Sequence, residues 1–361
     1  TTFPAADATE AAAFLAGIEP PTARQRYLAD IARAASYLEA ATAAAGRPGQ
    51  GDRLTVLATE LPVYTGLVET ARADNRQGLP VGAAYLAEAS ELMRSRLLPA
   101  ADGLYRQENA QLGAVYGQAT GLPVAGIIGA LIAAAVLIRV QRRLARSTRR
   151  VFNHGLVIAS AAGLLSLAWL LVALSVAGAQ FSDARDHGSA PVQALARADI
   201  AALRAHADES LTLIHRSGQD AYQADFVAVQ KQLGPGRGTL LAAAATAARG
   251  SPAARAAAGA AAAAPAWYAV DQRVRALDDG GNYEAAVQLA IGTGPSSSGS
   301  LFRRVQARLT AGINAGQAEF ASAAHGGQDA LAGLEAGMIV AALVMVAGCV
   351  WGLTRRLAEY G

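Results

Sequence analysis

GLPVAGIIGALIAAAVLIRVQRRLARSTRRVFNHGLVIASAAGLLSLAWLLVALSVAGAQFS, residues 121–182, decides how the chain is read. It holds two runs without charge, Leu122–Ile138 and Gly155–Ser182. Between them stand Arg139, Arg142, Arg143, Arg146, Arg149 and Arg150, with no acidic residue. A bilayer core of about 30 Å takes roughly 20 apolar residues at about 1.5 Å rise each. Both runs therefore predict transmembrane helices, over 121–140 and 155–182. Short cytoplasmic loops collect Lys and Arg, so the tip, 141–154, is expected in the cytoplasm. A third apolar run, 336–354, precedes Arg355 and Arg356, which predict a cytoplasmic tail at 355–361. The expected location is the cell membrane, multi-pass, with the lipid bilayer as a partner.

Working outward, the composition fits that expectation. The chain has 361 residues, of which 53% are hydrophobic and only 16% charged, too apolar for disorder. The net charge is +3, and much of the basic excess falls in the arginine tip, so no nucleic-acid footprint is expected. Aromatics, at 6%, are too few for a base-stacking surface. The single cysteine, Cys349, excludes an intrachain disulfide and a cysteine-based metal site. Thr1 is not a Met, so a cleaved signal peptide or a further span is expected before it.

The flanking segments read as helices throughout, without convincing period-2 alternation. Apolar residues recur at 3- and 4-residue spacing over 22–45 and 52–77, with Pro62 expected to bend or interrupt the second helix. A long helix is expected from Val81 into the first apolar run. Gly113, Gly117, Gly121, Ala125, Gly129 and Ala133 recur at four-residue intervals on it, a ridge suited to close helix packing. In the second part, helices are expected from the membrane to Leu233, on to about Ala264 with a break near Pro252, from Pro265 onward, and from Leu301 into the third apolar run.

The segments 1–120 and 183–335 also resemble each other. Tyr64 lies opposite Tyr268, Asp74-Asn75 opposite Asp278-Asp279, and Asp7-Ala8-Thr9-Glu10 opposite Asp208-Glu209-Ser210. The expected fold is all-α: an integral membrane protein with two tandem extracytoplasmic four-helix bundles, 1–120 and 183–335. Three spans lie in this chain, and a fourth is expected before residue 1.

Enzymatic signatures are absent from the sequence. The histidines form no HExxH pair, and no GxSxG, Walker A or dinucleotide fingerprint occurs. Gly234-Pro235-Gly236-Arg237-Gly238 is glycine-rich but lacks the lysine of a phosphate loop. No catalytic residue, cofactor or metal is expected. Asp208, Glu209, His215 and Asp225 are spaced for a metal site, but solvated bundle surface is the preferred reading. Glu69, Arg72, Asn75, Arg76 and Gln77 crowd one helix end beside Gly78; they read either as a solvated helix end or as a recognition patch. Arg142, Arg143, Arg146, Arg149 and Arg150 mark topology, bind anionic lipid or dock a cytosolic partner.

Five stretches carry a family resemblance: ADATEAAAFLAGIEPP (6–21), YTGLVETARADNRQGLPVGAAYLAEAS (64–90), RRLARSTRRVFNHGL (142–156), ARADIAALRAHADESLTLIHRSGQDAYQADF (196–226) and GLTRRLAEY (352–360). Together they resemble GlnX-type membrane sensors of high-GC bacteria. Each half is more loosely similar to the ligand-binding four-helix bundle of chemoreceptors. The resemblance implies a non-enzymatic relay. In it, an amino-acid signal of glutamine, glutamate or aspartate type, or an extracytoplasmic solute-binding lipoprotein, is coupled to a cytosolic Ser/Thr kinase. The other reading is a scaffold subunit of an envelope complex without a ligand of its own. The sequence leaves a homo-oligomer open. A transporter is disfavoured, because the apolar cores hold no ionisable residue to line a path.

Overall fold

The computed structural model describes residues 1–120 and 154–357, except 18, 45, 47–48, 184–188, 216–219, 235, 237 and 249. Between 121 and 153 it describes only 132, 135, 139, 142 and 143. All regular structure among the described residues is helical. The helices are α1 (Thr2–Leu15), α2 (Pro21–Ala43), α3 (Gln50–Arg76), α4 (Val81–Leu92) and α5 (Leu98–Thr120), with a π-helical turn, Met93–Leu97, joining α4 to α5. Then come α6 (His154–Asp183), α7 (Ala190–His215), α8 (Asp220–Leu233), α9 (Leu240–Ala247), α10 (Pro252–Asp279), α11 (Tyr283–Ile291) and α12 (Ser298–Leu357).

The chain divides into two compact units. Unit 1 is 1–111 with 186–318, and unit 2 is 112–185 with 319–361. In unit 1 the two sequence halves are not separate bundles. Helix α1 packs on α7 as well as on α2, and α4 also reaches α7. One core therefore joins Ala8, Ala11, Ala71 and Leu86 of the first half to Leu195, Leu211, Phe226, Trp267 and Leu309 of the second. A smaller core lies within the first half, around Tyr27, Leu57, Leu61, Tyr64, Val68, Met93 and Leu97. The alanines of α1 and α7 explain the merger, since a face of small side chains lets another helix approach closely.

Several expected elements change. Pro62 does not end α3, and Pro265 does not start a helix but lies inside α10. Proline removes one backbone hydrogen bond, and the alanine-rich turns around Pro265 have helix propensity to spare. The buried positions also shift the internal correspondence by one residue. Leu57, Leu61, Tyr64, Val68 and Ala71 recur as Ala260, Ala264, Trp267, Asp271 and Val274, so Trp267 rather than Tyr268 takes the place of Tyr64.

The expected membrane architecture is corrected. Among the described residues no helix is long and apolar enough to cross a membrane. The first expected span, 121–140, falls mostly outside the described residues. The second and third fall within α6 and α12. In α12 the apolar run is the end of one 60-residue helix, in line with the helix expected from Leu301 into that run. Within unit 2, α6 and α12 approach closely at Gly163, where an added Cβ would stand 3.4 Å from Met345 Sδ. Leu165, Trp169 and Val172 of α6 and Val340, Leu343 and Val346 of α12 are exposed large apolar side chains.

One glycine limits the packing of α3 on α4. A Cβ at Gly82 would lie 2.8 Å from the Ala71 carbonyl oxygen and 3.1 Å from the Asn75 nitrogen, both backbone atoms that cannot swing away. Gly82→Ala is expected to cost about 1–3 kcal/mol, read as a lowered melting temperature. Gly66→Ala, at a helical site with open space around the Cβ, is the control and should leave stability equal or higher.

Candidate functional site

The interior of unit 1 is built around charge. Asp7, Glu10, Arg72, Asp199, His206, Asp208, Glu209 and Asp271 are all buried. Charged side chains are almost never fully buried unless paired, so their partners define the site.

Arg72 is the first centre. Helix α3 carries it inward on the same face as Val68, to 4% exposure. It pairs with Glu10 of α1, with Glu69 at 2.8 Å and with Glu19 at 3.0 Å. Its guanidinium also lies 4.8 Å from the centre of the Tyr27 ring. Glu69 is shared with Arg24 at 2.7 Å, and Asn75 donates to the Phe14 carbonyl at 3.0 Å. Of the five residues in the expected recognition patch, the structure thus turns Glu69, Arg72 and Asn75 towards α1 and α2. Arg76 and Gln77 are exposed. Burial, and then the negative charges of Glu19 and Glu69, pushes Glu10 up to about 8.

Arg94 is the second centre, and its role was not readable from the sequence. It sits in the π turn, an element frequently found at functional sites. From there it leaves the first half and enters the second. It pairs with Asp208 of α7, lies 3.4 Å from Asp225 of α8, and stands 5.0 Å from the centre of the Tyr222 ring. The neighbouring Asp7 carboxylate accepts from Ser90 at 2.9 Å and from Tyr64 at 3.4 Å. Burial raises Asp208 to about 7 against the opposing pull of Arg94, and burial also raises Asp7. The sequence offered one trace: Asp7 and Asp208 match in the internal comparison, and the charge of Arg94 acts on both.

The third centre is aromatic and acidic. Trp267 is fully buried, with the Phe226, Tyr268 and Phe302 rings 5.6, 5.4 and 5.2 Å from it. Its indole N–H points at Glu209 at 3.5 Å. Asp271 lies one turn further along α10, accepts from Gln223 at 3.3 Å, and is raised by burial to about 7.

The remaining expected sites are placed as follows. Asp208 and Asp225 are engaged by Arg94, and the His215 ring lies 5.4 Å from that of Tyr222, tilted by 48°. Among the described residues no group of three or more His, Cys, Asp or Glu side chains is arranged around a common metal position. Arg142 and Arg143 are exposed, while Arg146, Arg149 and Arg150 lie outside the described residues. Gly113 and Gly117 fall in α5, and Gly121 and Gly129 lie outside the described residues. An open cleft of about 690 Å³ is lined by Gly49, Arg53, Pro99, Asp102, Gly103, Arg106 and Gln107. Its charges are internally committed: Arg53 donates to the Gly103 carbonyl at 2.6 Å, and Arg106 pairs with Asp102 at 2.5 Å.

The raised carboxyl groups set a pH dependence. A carboxyl whose folded pKa lies above its unfolded value holds its proton more tightly when folded. Its contribution is full below the unfolded value near 4 and is lost as pH rises through the folded value. Asp199, Asp208, Asp271 and Glu10 are raised to about 6, 7, 7 and 8, burial being the first cause in each. The chain should therefore melt at a lower temperature near pH 8 than near pH 5. Thermal melts across that range should show a shallower fall in Asp271→Asn.

Fold and site together define a class: an all-helical protein whose halves are locked by buried ion pairs. Within it, residues 2–117 match the family described as "Actinobacterial sensor domain". That match supports a bacterial sensor protein. No curated protein and no solved structure matches the chain.

Proposed function

We propose that the chain is a non-enzymatic sensor and signal relay. It responds to an amino-acid signal of glutamine, glutamate or aspartate type, directly or through a solute-binding protein, and its output is a Ser/Thr protein kinase. The observation that carries this reading is Arg94. It belongs to the segment that matches a sensor domain, yet it closes on Asp208 and Asp225 of the later half. Any event that repositions the π turn must also alter how α7 and α8 are held. A signal shifts such an equilibrium only by its differential affinity for the two arrangements.

Affinity purification of the tagged full chain from its own cells tests the proposal. A Ser/Thr kinase and a solute-binding protein should be recovered together. Phosphorylation by that kinase should change with external glutamine, glutamate or aspartate only where the chain is present. Kinase output that is indifferent to removal of the chain would refute the relay.

A further inference from the structure

Between α7, α8 and α10, buried hydrogen-bond acceptors outnumber donors. Glu209 is 1% exposed; its Oε2 faces Trp267 Nε1 at 3.5 Å and His206 Nδ1 at 3.2 Å, and its Oε1 has no partner. Asp271 is also 1% exposed; its Oδ2 accepts from Gln223, and its Oδ1 accepts no hydrogen bond. Gln223 Oε1 is buried without a partner as well, against two unpartnered donors, the Tyr268 hydroxyl and Arg275 Nε. The nearby cation, Arg275, does not close the deficit. Its Nη2 donates to the Glu209 backbone carbonyl at 3.3 Å, and its Nε stands 3.9 Å from Asp271 Oδ1, beyond hydrogen-bond reach. Asp278 draws on the same guanidinium at 3.7 Å.

An unpaired buried acceptor costs about 1–3 kcal/mol, more when it is charged. A partner for Glu209 Oε1, Asp271 Oδ1 and Gln223 Oε1 must therefore donate several hydrogen bonds and, beside two carboxylates, carry positive charge. An ammonium group has those properties. The walls suit it too: aromatic faces attract a desolvated cation, and Trp267, whose indole N–H lies 3.5 Å from Glu209, packs with Phe226 and Tyr268 at ring-centre distances of 5.4 to 6.3 Å. Two carboxylates in an apolar enclosure repel any anion.

We infer that Glu209 and Asp271, walled by Phe226, Trp267 and Tyr268, form a binding site for a small primary ammonium group. Burial, and then the charge of Glu209, raises Asp271 to about 7, and a bound ammonium would relieve that penalty. The inference concerns binding alone and does not depend on a kinase or on the relay.

Calorimetric titration of the full chain with methylammonium chloride tests it, near pH 8 with potassium chloride holding ionic strength constant. Saturable binding to one site is expected, weakened about tenfold or more in Asp271→Asn and in Glu209→Gln. Both substitutions preserve side-chain shape, and a cooperative melt checks that each variant folds. Absence of saturable heat in the unaltered chain overturns the site, whatever the variants do. Binding that survives in both folded variants overturns it too, as does an equal response to added potassium. A higher melting temperature in Asp271→Asn, with no methylammonium binding by the parent, identifies a carboxyl pair sharing a proton and likewise rejects the site.

Discussion

Arg72→Met is expected to destabilise the chain by about 3–5 kcal/mol, among the largest losses any single substitution should produce. The guanidinium is almost wholly buried and is the meeting point of Glu10, Glu19 and Glu69. Methionine fills much of the volume, so the loss comes from charge and not from a cavity. Without the arginine, Glu10 remains 2% exposed beside two other carboxylates. Chemical denaturation should show the loss as a lowered midpoint. The deficit should be largest above pH 8, where Glu10 gives up its proton, and should shrink as pH falls below that value. Arg76→Met, one turn further on and exposed, should stay within about 0.5 kcal/mol of the parent. An equal loss in both variants would mean that total charge, and not the buried cluster, sets stability.

Arg94→Met should cost a similar amount, about 3–5 kcal/mol, for a related reason. Asp208 is 0% exposed, and neither of its oxygens has another hydrogen-bond partner. Loss of its cation leaves an unpaired carboxyl in the core that burial already raises to about 7 with Arg94 in place, so the full cost is expected above pH 8, where that group is charged. Asp208→Asn in the Arg94→Met background should recover part of the loss, because a neutral amide is cheaper to bury than an unpaired charge. The double-mutant cycle should therefore give a coupling energy well above the tenths of a kcal/mol typical of a surface pair. A coupling near zero would show that Arg94 holds α4 and α5 for reasons unconnected with α7. The same variant should loosen the second half, since the π turn is a point at which the first half grips α7 and α8.

Much of the local structure was legible, and the reasons for the rest differ from place to place. The 3- and 4-residue spacing of Leu54, Leu57, Leu61 and Tyr64 marks the buried face of α3, and those residues are buried. Arg72 stood out in a crowd of polar residues, but spacing alone does not say whether a charge faces water or another helix. Its acidic partners Glu10 and Glu19 are some sixty and fifty residues away in sequence, which no local pattern reports. Arg94 carried no signal of its own. It lies between Met93 and Leu97, both buried, and only the widened π turn explains how it too faces inward. Asp7 and Asp208 correspond in the internal comparison, and the helices that carry them, α1 and α7, pack together. The charge-free runs over 155–182 and 336–354 point to spans, whereas among the described residues no helix is long and apolar enough to cross a membrane.

The central claim is that a signal received by this chain is felt by both halves of one charged core. Hydrogen exchange of the full chain, with and without glutamine, glutamate or aspartate, tests it most directly. The account predicts that at least one of the three slows exchange in α1 and α7 together, because the two helices pack on each other and Arg94 couples their acidic residues. Exchange that none of the three alters, or that changes in one of these helices while the other is untouched, would contradict it.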